Sequence, residues 1–239
     1  MIKFKPDIIA LFTAMFYSIS INAQSGYMDN ALNYSRLIRE KTEDGVYKLI
    51  GPFKVIGTSY LFGEKNKGDL FSQEAQANNI FLSYNTYNQD VDFYSMSNPD
   101  IPLVKEAGTV DSFLIHENPG VGINRPLKFI YGKYLGSNDK AYFLVLYKGN
   151  RFSVYKAYRS ELGYVATNIV QSELRQFDLE YDYYYTDSEK PGITKLKTNA
   201  SSIIKEFKKI KDISPVFNYN DFTLDQEQAL RKAFAYLNQ

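Results

Sequence analysis

The stretch LKFIYGKYLGSNDKAYFLVLYKGNRFSVYKAY, residues 127–158, decides the fold class. It holds three apolar and aromatic runs, Leu127–Leu135, Ala141–Tyr147 and Arg151–Tyr158. Gly136-Ser137-Asn138-Asp139 and Lys148-Gly149-Asn150 separate them. Runs of this kind bounded by turn residues read as strands. The links are too short for a parallel crossover, so the three runs form an antiparallel meander.

Upstream the same punctuation continues. Ile80 to Tyr87 and Val91 to Tyr94 flank Asn88-Gln89-Asp90, residues that tolerate the left-handed backbone of a tight reversal, and they predict a hairpin. Leu103–Glu106 and Val110–Ile115 read as a second pair, joined through Ala107-Gly108-Thr109. Val46–Ile50 and Phe53–Ile56 flank Gly51-Pro52. Residues 117–126, rich in Gly and Pro, mark where a division into two sub-sheets would fall.

Helical spacing occurs at both ends. Asp29 to Lys41 carries Met28, Ala31, Leu32, Tyr34 and Ile38 at near-helical intervals and predicts an N-terminal helix. Ser201–Lys211 places Ile203, Ile204, Phe207 and Ile210 on one face and Lys205, Lys208, Lys209 and Lys211 on the other. Thr223-Leu224-Asp225-Gln226 fits a capping box ahead of Leu230, Ala233, Phe234 and Leu237. The expected fold is therefore α+β: mostly antiparallel sheet, built of hairpins and a three-stranded meander. One N-terminal and two C-terminal helices would pack on it.

Composition narrows the chemistry. The 239 residues include 28 basic and 27 acidic side chains, one His, no Cys and no Trp, but 21 Tyr and 17 Phe. Nucleic-acid binding needs a basic excess that is missing here. Without Cys there is no disulfide, thiolate metal site or cysteine nucleophile, and one His cannot build a multi-histidine centre. No cofactor is expected.

Residues 1–23 read as a secretory signal peptide: Lys3 and Lys5, then an apolar run from Ile8 to Ile21, then Ala23 before the expected cut. Its removal leaves 24–239 as a single β-rich domain with 26 basic and 26 acidic residues and no transmembrane span. The expected location is periplasmic or secreted.

Three segments carry a resemblance. They are Gly57-Thr58-Ser59-Tyr60-Leu61-Phe62, the run Leu82-Ser83-Tyr84-Asn85-Thr86-Tyr87-Asn88-Gln89-Asp90-Val91-Asp92-Phe93, and Ile193-Thr194-Lys195-Leu196-Lys197-Thr198-Asn199. Together they resemble uncharacterised exported proteins of Bacteroidota-type bacteria. Ser83 stands where that group would carry a basic residue. The resemblance implies an envelope or secreted location and no particular chemistry.

Several residues are candidates for a site. Asp178, Glu180 and Asp182 share one face of a strand, an arrangement open to a hard cation or to paired acid–base work. The same alternation with Leu179, Tyr181 and Tyr183 also describes a strand with one side in water. Tyr181, Tyr183, Tyr184 and Tyr185 put rings on both faces and are the candidate ligand-binding row. His116 beside Glu117 offers a base and its orienter, but no nucleophile elbow accompanies it. Gly120-Val121-Gly122 reads as a turn, since it lacks the Lys-Ser/Thr of a phosphate loop.

The functional expectation is a non-catalytic exported protein that binds a partner protein or an envelope polymer. The alternative is a periplasmic carrier of a lipid or other apolar ligand, recognisable by an apolar cavity. A hydrolase using Asp178, Glu180 and Asp182 is the third reading.

Overall fold

The computed structural model describes residues 35–95, 98–105, 108–165 and 174–239. The signal segment, the cut near Ala23 and residues 29–34 lie outside them. Twelve strands among the described residues form one sheet. They are β1 (Ser35–Lys41), β2 (Tyr47–Ile56), β3 (Tyr60–Phe71), β4 (Gln76–Asn85), β5 (Asp90–Ser95) and β6 (Asn98–Lys105). Then follow β7 (Ser112–Ile115), β8 (Leu127–Tyr131), β9 (Tyr142–Lys148), β10 (Phe152–Tyr164), β11 (Leu174–Asp187) and β12 (Ile193–Lys195). Helices α1 (Ala200–Phe207), α2 (Tyr219–Leu224) and α3 (Gln226–Leu237) close the chain. No helix of the described residues is long and apolar enough to cross a membrane.

The strand order is β1-β2-β11-β10-β9-β8-β7-β3-β4-β5-β6, with β12 beside β11. Every pairing is antiparallel except β2 with β11, which run parallel over Lys54–Ile56. The meander read from residues 127–158 is β8-β9-β10, and the hairpin around residues 88–90 is β4-β5. Residues 117–126 connect β7 to β8, which are hydrogen-bonded neighbours, so the sheet is continuous across them.

Three expectations are corrected and one strand is added. Residues 35–41 form strand β1, paired with β2, where a helix was expected. The alternation of Arg39 and Lys41 decides this, because it matches the alternation of Asp92 and Asp90 across the fold. The 103–115 pair is not a hairpin: β6 pairs with β5, while β7 lies between β3 and β8. Burying Phe113 and Ile115 completely in the sheet centre outweighs the short local turn.

Strand β3 was missed, because its middle, Gly63 to Asp69, has no apolar alternation. It forms through a bulge in which pairing jumps from Leu61↔Tyr84 to Asn66↔Leu82, with left-handed φ at Phe62, Gly63 and Lys65. Gly68 is obligatory there, since a Cβ would lie 2.1 Å from the Leu114 carbonyl oxygen. Finally, three short helices replace two. The 201–211 helix ends at Phe207 and leaves Ile210 exposed. The cap of α3 is Asp225, which accepts from the Gln228 amide at 2.9 Å, while Thr223 bonds back to the Tyr219 carbonyl.

One hydrophobic core runs from the sheet to the helices. At its sheet end Phe113 and Phe129 stack at 4.6 Å, with Tyr84 5.4 Å from each ring and Tyr142 5.1 Å from Phe113. At its helix end Phe207 meets Phe152, Tyr185 and Phe234. The buried Tyr84 and Tyr142 hydroxyls donate to Gln89 and to the Val110 carbonyl, so neither is left unpaired.

Side chains close one end of the sheet. Arg39 and Lys41 on β1 meet Asp92 and Asp90 on β5 at 2.9 Å each. Tyr47 and Tyr60 donate to Oδ2 of Asp90 and of Asp92 at 2.7 Å. Both carboxylates are fully buried. Burial pushes the Asp90 carboxyl up although Lys41 and Tyr47 pull it down. It also raises the Tyr47 and Tyr60 phenols, with their aspartates adding to the effect.

The turn between β4 and β5 completes this closure. Asn88 Oδ1 accepts from the Lys41 amide at 3.1 Å, and its Nδ2 donates to the Arg39 carbonyl at 2.9 Å. A strand residue in a parallel ladder bonds its neighbour in the same way, so one carboxamide stands in for a strand beside β1. On the other side β9 covers β10 only from Ser153 to Ala157. Beyond it the Tyr158 carbonyl accepts from Gln89 Nε2 at 2.9 Å, and the Ser160 amide donates to the Thr86 carbonyl at 3.0 Å. Thr86 also donates to the Ser59 carbonyl. Segments 57–62 and 82–93 therefore meet here, in a structural junction.

Candidate functional site

Strand β11 presents its tyrosines on two faces. Leu179, Tyr181, Tyr183 and Tyr185 point to the helix side, and Asp178, Glu180, Asp182 and Tyr184 to the other. Tyr183 is buried, and Tyr185 packs between Phe207 and Phe234 and donates to Glu206 at 2.9 Å. Burial, then that hydrogen bond, pushes the Tyr185 phenol up to about 12. Tyr184 lies edge-on to Phe143 at 5.1 Å. Within the predicted row only Tyr181 is largely open, at 47% exposed, held by a 3.3 Å hydrogen bond to Gln226.

Tyr181 belongs to a site built from four segments. Lys156 occupies an inward position of β10 between the buried Val154 and Tyr158, and it is itself buried. Its ammonium lies 3.9 Å from the Tyr181 ring centroid, 4.7 Å from that of Tyr158 and 5.6 Å from that of Tyr183. Three rings thus hold one cation, an arrangement strengthened by exclusion of water. Glu227, in the first turn of α3, accepts from Lys156 at 3.0 Å. Its other oxygen lies 3.9 Å from Arg125, in the β7–β8 connection, and 3.6 Å from Arg231, one turn further along α3. Burial raises the Tyr158 and Tyr183 phenols, and the Glu227 charge adds to it.

On the opposite face of the same strands lies an open groove of about 280 Å³. Ala157 stands in register between Phe143 and Asp182, and its small side chain makes the depression. Glu180 and Asp182 of the acidic row line this groove. Glu180 pairs with Arg159 at 3.1 Å, Asp182 with Lys195 at 2.7 Å, and Asp178 accepts from Gln176 at 2.7 Å. The three carboxylates diverge to separate partners. Among the described residues no three His, Cys, Asp or Glu side chains gather as metal ligands would.

The remaining candidates are placed elsewhere. His116 Nε2 lies 3.0 Å from Asp69 of β3, so its carboxylate partner is not Glu117. Gly120-Val121-Gly122 lies in a short 3-10 turn that ends at Gly122 in the left-handed region. Lys211 is drawn off the basic helix face, donating to the Tyr236 carbonyl at 2.8 Å and lying 4.1 Å from its ring centroid.

Reading the sequence missed Lys156, Glu227 and Arg125. The signal was present for one of them. Lys156 interrupts the inward series Phe152, Val154, Tyr158 of β10, and a lysine at a core position needs a partner. Compared with protein-family models, curated proteins and solved structures, the chain matches none.

Proposed function

We propose that the chain is an exported, non-catalytic protein that binds a partner protein through the surface centred on Tyr181. The observation that carries this is a half-exposed ring on the sheet, hydrogen-bonded to Gln226, with exposed leucines near it in sequence on β11 and at the end of α2. Leu179 precedes Tyr181 by two residues on the same face, and Leu224 leads into Gln226, which bonds Tyr181. Arg125 completes the patch, and Tyr and Arg are the residues that most often dominate protein interfaces. The exposed leucines favour a protein over a sugar polymer. The close packing of the Tyr84, Phe113, Phe129 and Tyr142 rings supports this reading over a carrier of apolar ligands. Export rests on residues 1–23 and on the resemblance carried by segments 57–62, 82–93 and 193–199.

Photo-crosslinking in the native cell tests the reading. A benzophenone amino acid in place of Tyr181 is expected to trap one discrete adduct. The same probe in place of Tyr164, which is 76% exposed at the far end of β10, should not. No adduct at either position, or identical adducts at both, would count against the proposal. N-terminal sequencing of the exported form should begin at Gln24.

A further inference from the structure

The Glu227 cluster says what kind of partner this surface accepts, if the partner-binding reading is right. Three cations converge on one carboxylate: Lys156, Arg125 and Arg231. Asp225 is the other acid at this end of α3, and its side chain is engaged in capping the helix. Lys156 does not depend on Glu227 for its position, because the rings of Tyr158, Tyr181 and Tyr183 surround it. Arg231 is anchored through Nη1 to the Leu146 carbonyl. Its Nη2, 3.6 Å from Glu227, has no hydrogen-bond partner among the described residues. Arg125 is 46% exposed and reaches Glu227 only at 3.9 Å. Lys156 and Arg231 are thus placed independently of Glu227, the three cations outnumber the acid they share, and Arg125 and Arg231 are incompletely bonded.

We infer that this surface docks an acidic segment of a partner protein, one carboxylate of which takes the place of Glu227 against Lys156 and Arg125. Glu227 is then an internal stand-in for the ligand. It keeps the buried ammonium compensated while the surface is free, since an uncompensated buried charge is costly. Exposed Leu179 and Leu224 give the flanking side chains of a peptide apolar contacts that an acidic sugar would not use. Complementary charge supplies the choice of partner and the speed of encounter.

The test uses the full chain and a short fluorescent peptide of alternating Glu and Gly, with its Gln-Gly counterpart as the neutral control. The Glu-Gly peptide should bind, weaken as salt rises, and leave the Gln-Gly peptide unbound. Glu227→Gln removes the internal competitor and should tighten binding by about tenfold. Arg125→Ala, an exposed change that leaves the core intact, should weaken it by a similar factor. Unchanged affinity in Glu227→Gln would overturn the inference, as would equal binding of the neutral peptide. Tighter binding of oligogalacturonate than of the peptide would overturn it in favour of an acidic glycan. Absence of peptide binding with a surviving Tyr181 adduct would sink the acidic-segment inference alone and leave partner binding standing.

Discussion

Strands β5 and β11 each carry acidic residues at alternate positions, and the two strands use them in opposite ways. On β11 the side chains of Asp178, Glu180 and Asp182 lie on the solvent side and meet separate partners. Water already solvates such groups, and their pairings add little to stability. On β5 the side chains of Asp90 and Asp92 are fully buried and receive Arg39, Lys41, Tyr47 and Tyr60. There no water substitutes for a lost donor. The dense, conspicuous acidic run is the tolerant one, and the sparse pair holds the sheet closed.

Substitutions can break that contrast, beginning with the largest effect. Asp92→Ala leaves Arg39 and Tyr60 without their buried carboxylate, and urea unfolding should record a loss of about 3–5 kcal/mol. Asn88→Ala removes both bonds that stand in for a strand beside β1. A loss of about 1–2 kcal/mol is expected, with faster amide exchange at Lys41 than at Leu49 on the paired side.

Acid titration sharpens the contrast within a single seam. Folding raises the Asp90 carboxyl above its ordinary 3.8, chiefly through burial. Its contribution is therefore fully present below that value and is lost as pH rises through the folded value. Glu40, on β1, is held below its ordinary 4.5 by hydrogen bonds from Lys48 and Tyr87. Its contribution is present above that value and is lost as pH falls through the folded one. The stability of wild type relative to Asp90→Asn should decline with rising pH, and relative to Glu40→Gln with falling pH. Slopes of the same sign would dissolve the distinction. The smallest effect belongs to β11: Glu180→Gln should leave the unfolding free energy measured in urea within about 0.5 kcal/mol of wild type.

The sheet was legible wherever turn chemistry and alternation coincided, as in β4-β5 and β8-β9-β10. It was illegible where partners are remote. Residues 35–41 carry too few apolar side chains to fix a period, and only the match of Arg39 and Lys41 to Asp92 and Asp90 explains their strand. Strand β3 depends on a bulge and on Gly68 against Leu114, neither of which hydropathy records. At the candidate site the row Tyr181, Tyr183, Tyr184 and Tyr185 was legible, but which of its rings stays open was not. Nor were Glu227 and Arg125, because helix α3 and the β7–β8 connection bring them to β10 from far along the chain.

The parallel contact between β2 and β11 joins Lys54 to Leu174, 120 residues apart. As the chain emerges from its N-terminus, the β1–β2 hairpin appears before the other described strands. It must then wait for nearly all of them. Its aspartate partners arrive with β5, but its ladder partner arrives only with β11. Contacts of such long range are slow to form. The first hairpin made is therefore among the last to dock, and its arrival reports that the sheet behind it is complete.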